Sequence, residues 1–378
     1  MNKLKKINKY PVIIIFALII FGFSIIDMIT PDVEYSALEN KYLTQGPKFE
    51  FSEFVDNVFV PKYEKYIDDQ FVLRNYWINL KSRTEYYLGK LENNGIVYGS
   101  DNYLFDKCLN IDEKKAERNM LMIEKFIKEN KNENIDFLLV PNSYEILQEK
   151  VPYMLNLFDQ DKYIKECYDR LAKYDNVKTI SIYDKLYENR DEYIYYKTDH
   201  HWTSFGAYLA YSEYMKASNT KSVAYDETKC EKISGFLGTY FSKCKKFSVS
   251  ADYIEYFNYP NIECTIAGEK MDSIYNYEKF ESKDKYAAFL HGNNDITIIK
   301  NKNSDKNNVR RMMIVKDSFG NSFVPFLTNN YDEIYVVDLR ANTENVSKII
   351  ENTKFDNILI LYSVGNFVKD NNFIKLNN

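Results

Sequence analysis

Histidine is the scarcest reactive residue in this 378-residue chain, with three copies at 200, 201 and 291. The candidates for a proton acceptor working near neutral pH are therefore His200, His201 and His291. Glycine and proline are sparse as well, at 12 and 8, which excludes a collagen-like or Pro/Gly-rich low-complexity chain. Cys108, Cys167, Cys230, Cys244 and Cys264 include no CxxC pair, which argues against a structural zinc site. Neither sign of charge is in excess: the formal net charge is -5, the pI is near 5.6, and lysines alternate with acids. The chain thus lacks the electrostatic footprint of a nucleic-acid partner. Aromatic residues are what it holds in quantity, 34 Tyr and 25 Phe, suited to filling strands and cores or to stacking on sugars.

From Val12 to Ile26 there is no charged residue, and Lys3, Lys5, Lys6 and Lys9 precede that run. It reads as a signal or an anchor. Extended across Asp27 to Ile29 it nears the lower limit for a spanning helix, and no small-x-small cleavage site follows before Pro31. We expect an uncleaved anchor with the lysines cytoplasmic and the rest of the chain outside; a cleaved, secreted form is the alternative. An odd number of cysteines in an exported chain leaves at least one unpaired within the molecule, and Cys230 with Cys244, flanking EKISGFLGTYFSK, could form a bridge.

The length suits one large domain with additions, or two domains. Residues 1–30 read as a cytoplasmic stub and anchor, 31–90 as a helical lead-in, and 91–378 as the domain that carries chemistry. Gly95 to Phe105 has the pattern of a hairpin turning at Gly99, Ser100, Asp101 and Asn102. Beyond it, helical stretches at 112–129, 161–174 and 205–217 alternate with apolar runs: Ile135 to Val140, Val177 to Ile182, then RMMIV, EIYVVDL and NILILY. This alternation predicts an α/β fold with a doubly wound, mainly parallel sheet, whose sites form at the carboxyl ends of strands. The stretch of about 219–308 breaks the rhythm and predicts an irregular or β-containing insertion.

Ser318 follows RMMIV and precedes the apolar FVPFL, a strand-to-helix turn that would expose its hydroxyl and aim its own N–H at developing negative charge. A plain helix N-cap is the competing reading, and Ser322 is the weaker nucleophile candidate one turn later. In a locally extended TDHHW segment, residues two apart share a side, so Asp199 reaches His201 while His200 faces away. His201 is the expected base, with Nδ1 on Asp199 and Nε2 on Ser318, and Thr203 or Ser204 would cap the following helix. An Asp-His-His cluster could instead ligate a metal, given further ligands.

TDHHWTSFGAY resembles the signature of the bacterial DHHW proteins, which are similar to alginate O-acetyltransferases of the AlgJ and AlgX type within the SGNH-hydrolase-like superfamily. ENKYL, VYGSDNYLF, Pro141 and Asn142, GFLGTYFSK, DKYAAFLHGN, VKDSFGNSF and VVDLR agree with that pattern. The resemblance implies an SGNH-like fold and a Ser-His-Asp triad with Asp199 and His201 ahead of Ser318, an order that points to the acetyltransferase branch. Lys316 departs from the glycine of the family's GDS block, so its turn must be made without that glycine. For the oxyanion, the Ser318 N–H is the first donor, Gly292 and Asn293 are candidates, and Asn366 is a competitor. Arg340, after the strand ending at Asp338, could bind an acyl donor or a sugar, or pair with a neighbouring acid; Trp202 is expected to pack behind the loop.

The expected function is O-acetylation of a cell-surface or secreted polysaccharide outside the membrane, with no cofactor and no bound metal. The resemblance implies a membrane-bound O-acyltransferase as the acyl-donor partner. A carbohydrate esterase using the same triad and a non-catalytic polysaccharide-binding protein are the alternatives.

Overall fold

The structure is a computed structural model that describes residues 10–36, 38–39, 41–153, 155–304 and 308–377. Lys3, Lys5, Lys6 and Lys9, expected to orient the anchor, lie outside the described residues, as does Asn40 of ENKYL. Contacts divide the chain into two units, Met1–Lys90 with Lys245–Phe247, and Leu91–Cys244 with Ser248–Asn378.

In the first unit, helix α1 spans Pro11–Ile29, with proline where a missing N–H costs no helical bond. Its mean hydropathy reaches 2.9 and none of it is buried, so it is long and apolar enough to cross a membrane, as an anchor or a signal. Helices α2 (Phe51–Val55), α3 (Phe59–Gln70) and α4 (Arg74–Tyr87) follow.

The second unit begins with an antiparallel hairpin of β1 (Ile96–Tyr98) and β2 (Leu104–Asp106). Its turn places Asp101 and Asn102 at positive φ, which short polar side chains tolerate best. Helix α5 (Glu113–Glu129), capped by the Asp112 side chain on Lys115 N, leads to β3 (Ile135–Val140), α6 (Gln160–Leu171) and β4 (Val177–Thr179). Next come α7 (Ser204–Ala217), β5 (Cys230–Phe236), α8 (Thr239–Cys244), β6 (Asp252–Phe257), β7 (Ile262–Ile266), β8 (Glu269–Met271) and β9 (Ile296–Asn301). The chain ends its sheet with β10 (Arg311–Lys316), α9 (Gly320–Leu327), β11 (Glu333–Val337), α10 (Val346–Asn352) and β12 (Asn357–Ser363).

Strands run in the order β8-β7-β9-β11-β10-β12-β3-β4. From β11 to β4 every pairing is parallel, with Met313 opposite both Tyr335 and Ile358, and Phe137 opposite both Ile360 and Thr179. The sheet is doubly wound because alternate residues of its buried strands feed two cores. Met312 and Ile314 of β10 pack with Ala207 and Phe323 of α7 and α9, whereas Met313 and Val315 pack with Ile123 of α5 and Ile164 of α6.

Two expectations change. The segment at 219–308 is β-containing, but its strands β7, β8 and β9 extend the central sheet as an antiparallel edge, and β5 pairs with β6 separately. No Cys230–Cys244 bridge forms. Cys244 is buried with Ile96, Leu104 and Tyr240, whereas Cys230 starts β5 opposite Phe257.

Candidate active site

Ser318 stands two residues beyond β10, at the carboxyl end of the parallel strands. Asp317, fully buried, makes the turn. Its Oδ1 accepts from Phe319 N (2.9 Å), and its Oδ2 accepts from Ser363 N (2.9 Å), Ser363 Oγ (2.7 Å) and Asn366 Nδ2 (2.8 Å). Asn366 is thereby engaged beneath the turn. The glycine missing at 316 has a counterpart at 320: a Cβ on Gly320 would come within 2.7 Å of Lys316 Cβ, so that glycine leaves room for the lysine stem. Lys316 Nζ then reaches Asn321 Oδ1 (2.6 Å), Asp338 Oδ2 (3.1 Å) and Asn293 Oδ1 (3.3 Å).

The DHHW segment is the tip of a closed loop, not an extended strand. Tyr195 and Trp202 form an antiparallel bridge, and Tyr196 N donates to His201 O across it (3.2 Å). Buried Asp252 holds one side, accepting from Lys197 N (2.9 Å), Thr198 N (2.8 Å), Thr198 Oγ1 and Tyr193 OH (both 2.5 Å). Thr203 caps α7 by accepting from Gly206 N (3.2 Å).

Within this loop Asp199 Oδ1 accepts from His201 Nδ1 at 2.6 Å, and His201 Nε2 lies 2.8 Å from Ser318 Oγ. Asp199 Oδ2 accepts from Thr239 N (2.7 Å) and Thr239 Oγ1 (2.9 Å), at the start of α8. Burial by itself would raise the Asp199 carboxyl, but the two histidine rings and these bonds hold it well below the usual range, so it stays ionised. His200 does not face away, because the loop closes on itself. Its Nδ1 lies 2.7 Å from Thr239 Oγ1 and 3.5 Å from Asp199 Oδ1, and its ring sits 3.8 Å from that of His201. Burial and the neighbouring His201 push His200 down to about 3, against the pull of Asp199.

Aromatic residues clamp His201 to the turn that carries Ser318. The Tyr286 ring stacks on His201 at 3.8 Å and 11°, and its hydroxyl donates to Ser318 O at 3.0 Å. Trp202 packs behind the loop, donating from Nε1 to Phe319 O (3.0 Å) and Ser322 Oγ (2.9 Å). Ser322 is buried and bound by Trp202 and Tyr286 (3.1 Å), so its hydroxyl is occupied.

The remaining candidates hydrogen-bond to groups other than Asp199, His201 and Ser318. Arg340 makes a two-pronged pair with Asp338, from Nε at 2.8 Å and Nη2 at 2.6 Å, the ion-pair side of its two readings. Gly292 N donates to Phe289 O at 3.0 Å, and Asn293 Oδ1 also accepts from Asn321 Nδ2 at 3.2 Å. His291 binds Ser273 O through Nε2 at 2.9 Å. Asp199, His200 and His201 bring ligand atoms within 4.8 Å of one another, the spacing of a metal site. The oxygens of Asp199 and both ring nitrogens of His201 are already engaged as described. Two cavities of about 700 and 720 Å³ open elsewhere, beside Tyr208 and Tyr144, and none of the three aligned residues lines them. Sequence reasoning missed Asp252, Thr239, Gly238 and Tyr286 as supports, although the last three fall in GFLGTYFSK and DKYAAFLHGN.

A doubly wound sheet with a serine beyond a central strand, aligned with a preceding Asp and His, defines an α/β protein whose Ser, His and Asp meet at the carboxyl ends of its parallel strands. The chain belongs to the DHHW protein family, whose model matches residues 98–337. It shares its fold with a DHHW family protein from Eubacterium siraeum, at 22% identity and a TM-score of 0.62, covering 76% of this chain and 96% of that one. Bacillus cereus PatB1, solved with a sulfonyl adduct, superposes at 20% identity and a TM-score of 0.57, covering 75% and 98% respectively. The O-acetyltransferase domain of Pseudomonas putida AlgJ, at 11% identity and a TM-score of 0.45 over 73% of this chain and 93% of that one, is too loose a likeness to build on. No curated protein matches the chain.

Proposed function

We propose that this protein is an extracytoplasmic O-acyltransferase that acetylates hydroxyls of a cell-surface or secreted polysaccharide through an acyl-enzyme on Ser318. The carrying observation is the line from Asp199 Oδ1 to His201 Nδ1 (2.6 Å) and from His201 Nε2 to Ser318 Oγ (2.8 Å). Ser318 Oγ attacks the acyl carbonyl as His201 Nε2 takes its proton. The tetrahedral intermediate collapses, and His201 returns the proton to the departing group. A sugar hydroxyl then gives its proton to His201 and takes the acyl group, freeing Ser318. The Ser318 N–H, for which no bond is found among the described residues, is the first oxyanion donor, and Asn293, carried by the loop at Gly292, is the second. Arg340 supports the site through Asp338 and Lys316.

Residues 1–30 form the stub and membrane anchor, 31–90 the lead-in, and 91–378 the catalytic domain. Acetyl-CoA is cytoplasmic, so a membrane-bound O-acyltransferase delivers the acyl group, and the α1 anchor keeps the two together. The test treats one sample of the full chain in detergent with methanesulfonyl fluoride, a probe suggested by the PatB1 adduct, and a separate, unlabelled sample with p-nitrophenyl acetate and oligosaccharides. Labelling at Ser318, lost in Ser318→Ala, and acetylated sugar by mass spectrometry are expected. Free acetate without acetylated sugar makes the protein an esterase, and absence of labelling refutes the serine mechanism.

A further inference from the structure

Thr239 fixes the proton on the histidine that the proposed reaction leaves unused. Its Oγ1 lies 2.9 Å from Asp199 Oδ2, and an ionised carboxylate accepts without donating, so the single hydroxyl proton of Thr239 points at Asp199. The same Oγ1 lies 2.7 Å from His200 Nδ1 and must accept there, which puts a proton on Nδ1. In the neutral ring the lone pair is then on Nε2. Among the described residues no protein group meets that nitrogen. The His200 side chain is 28% exposed, against 6% for His201, and the two rings lie face on face, tilted by 37°, with centroids 3.8 Å apart.

We propose that His200 Nε2 binds the acceptor sugar, taking a hydrogen bond from the hydroxyl next to the one that attacks, so that the preferred acceptor is a vicinal diol. The assignment rests on the acyl-transfer reading above. One hydroxyl of the diol loses its proton to His201 Nε2, and its oxygen bonds to the acyl carbon. The bond from that carbon to Ser318 Oγ breaks, and His201 passes the proton to Ser318. The neighbouring hydroxyl keeps its proton throughout and serves to orient the sugar. In the neutral ring Nε2 is an acceptor and the neighbouring hydroxyl donates to it, whereas an imidazolium would reverse that bond and donate from Nε2 to the hydroxyl oxygen.

The test compares methyl hexopyranosides with their monodeoxy analogues as acceptors, using p-nitrophenyl acetate as donor and the full chain in detergent. For the wild type, removing the adjacent hydroxyl should lower kcat/KM about tenfold, the loss of one hydrogen bond to a prepared partner. His200→Phe keeps an aromatic ring but no acceptor and should treat diol and deoxy sugar alike. His200→Gln restores an oxygen acceptor and should recover part of the preference. A His200→Phe enzyme that still prefers the diol as the wild type does overturns the inference while leaving acyl transfer standing. A wild type that forms acyl-enzyme yet acetylates no sugar ends both the inference and the transferase reading, and failure to acylate Ser318 ends the serine mechanism itself.

Discussion

Gly238→Ala is the sharpest perturbation of the proposed chemistry, because it adds one carbon behind Asp199. An ideal Cβ there would sit 2.3 Å from Asp199 Cβ, 2.4 Å from Oδ2 and 2.7 Å from Cγ. Carbon atoms prefer about 3.5–4.0 Å, so the overlap exceeds 1 Å. The turn cannot back away cheaply, since Thr239 N and Oγ1, one residue on, hold Asp199 Oδ2 at 2.7 and 2.9 Å. Relief therefore comes from moving the carboxylate off His201 Nδ1. Overpacking of this kind costs about 1–3 kcal/mol of stability. A displacement of about 1 Å costs roughly 10²-fold in rate, and full loss of the orienting carboxylate about 10⁴-fold. The p-nitrophenol burst should thus slow by between about 10² and 10⁴, while a thermal melt shows the variant still folded. A burst within a factor of about 3 of the wild type, under 1 kcal/mol in the barrier, would refute the claim that Asp199 sets the base.

Acid stability tests the electrostatics of the neighbouring ring. His200 is pushed down to about 3 from 6.5, so between those values the unfolded chain binds the extra proton and stability falls as pH falls, by about 1.4 kcal/mol per unit. Urea titrations of His200→Gln at pH 6 and pH 4 should show a flatter dependence than the wild type, and equal slopes would count against a neutral His200 ring in the folded protein. Asp338→Asn leaves buried Lys316 and its neighbour Arg340 without their shared carboxylate and should cost about 3–5 kcal/mol in urea unfolding. Lys316→Met leaves Asp338 its three Arg340 bonds, so a cost equal to that of Asp338→Asn would contradict this accounting. Asp317→Asn sets an amide against four donors, at about 1.5–3 kcal/mol per charged bond lost, and should slow sulfonyl labelling of Ser318; unchanged labelling would show that the turn does not need the carboxylate.

The sheet was legible where a strand is buried on both faces and ends on a breaker. Ile135 to Val140 stops at Pro141, and Arg311 to Lys316 stops at Asp317, because continuous apolar runs have no other stable placement. Ile180 and Ile182 are equally apolar and buried, yet lie beyond β4, since an edge strand pairs on one side and core contact alone does not extend it. In the site, the alignment of Asp199, His201 and Ser318 was readable from residue type and local context. The position of His200 was not, because two-residue alternation assumes an extended chain and the Tyr195–Trp202 bridge turns these residues into a loop. Asp252 meets Thr198 from 54 positions away, a pairing that no local pattern encodes.

The tryptophan that closes the signature explains how a loop can hold the proposed base in place. A histidine on a free loop would sample many positions, and catalysis by positioning depends on that search being made in advance. Here the His201–Ser318 separation does not rely on their mutual hydrogen bond. Trp202 Nε1 ties the loop to Phe319 O, Tyr286 OH ties its own segment to Ser318 O, and the Tyr286 ring lies flat against His201. Those ties run from the loop and from residue 286 to the backbone on either side of the Ser318–Phe319 bond, so they survive while Ser318 Oγ carries an acyl group and its bond to His201 is broken. The base thus stays in place for the second half of the proposed reaction, when it must meet a sugar hydroxyl in place of the serine.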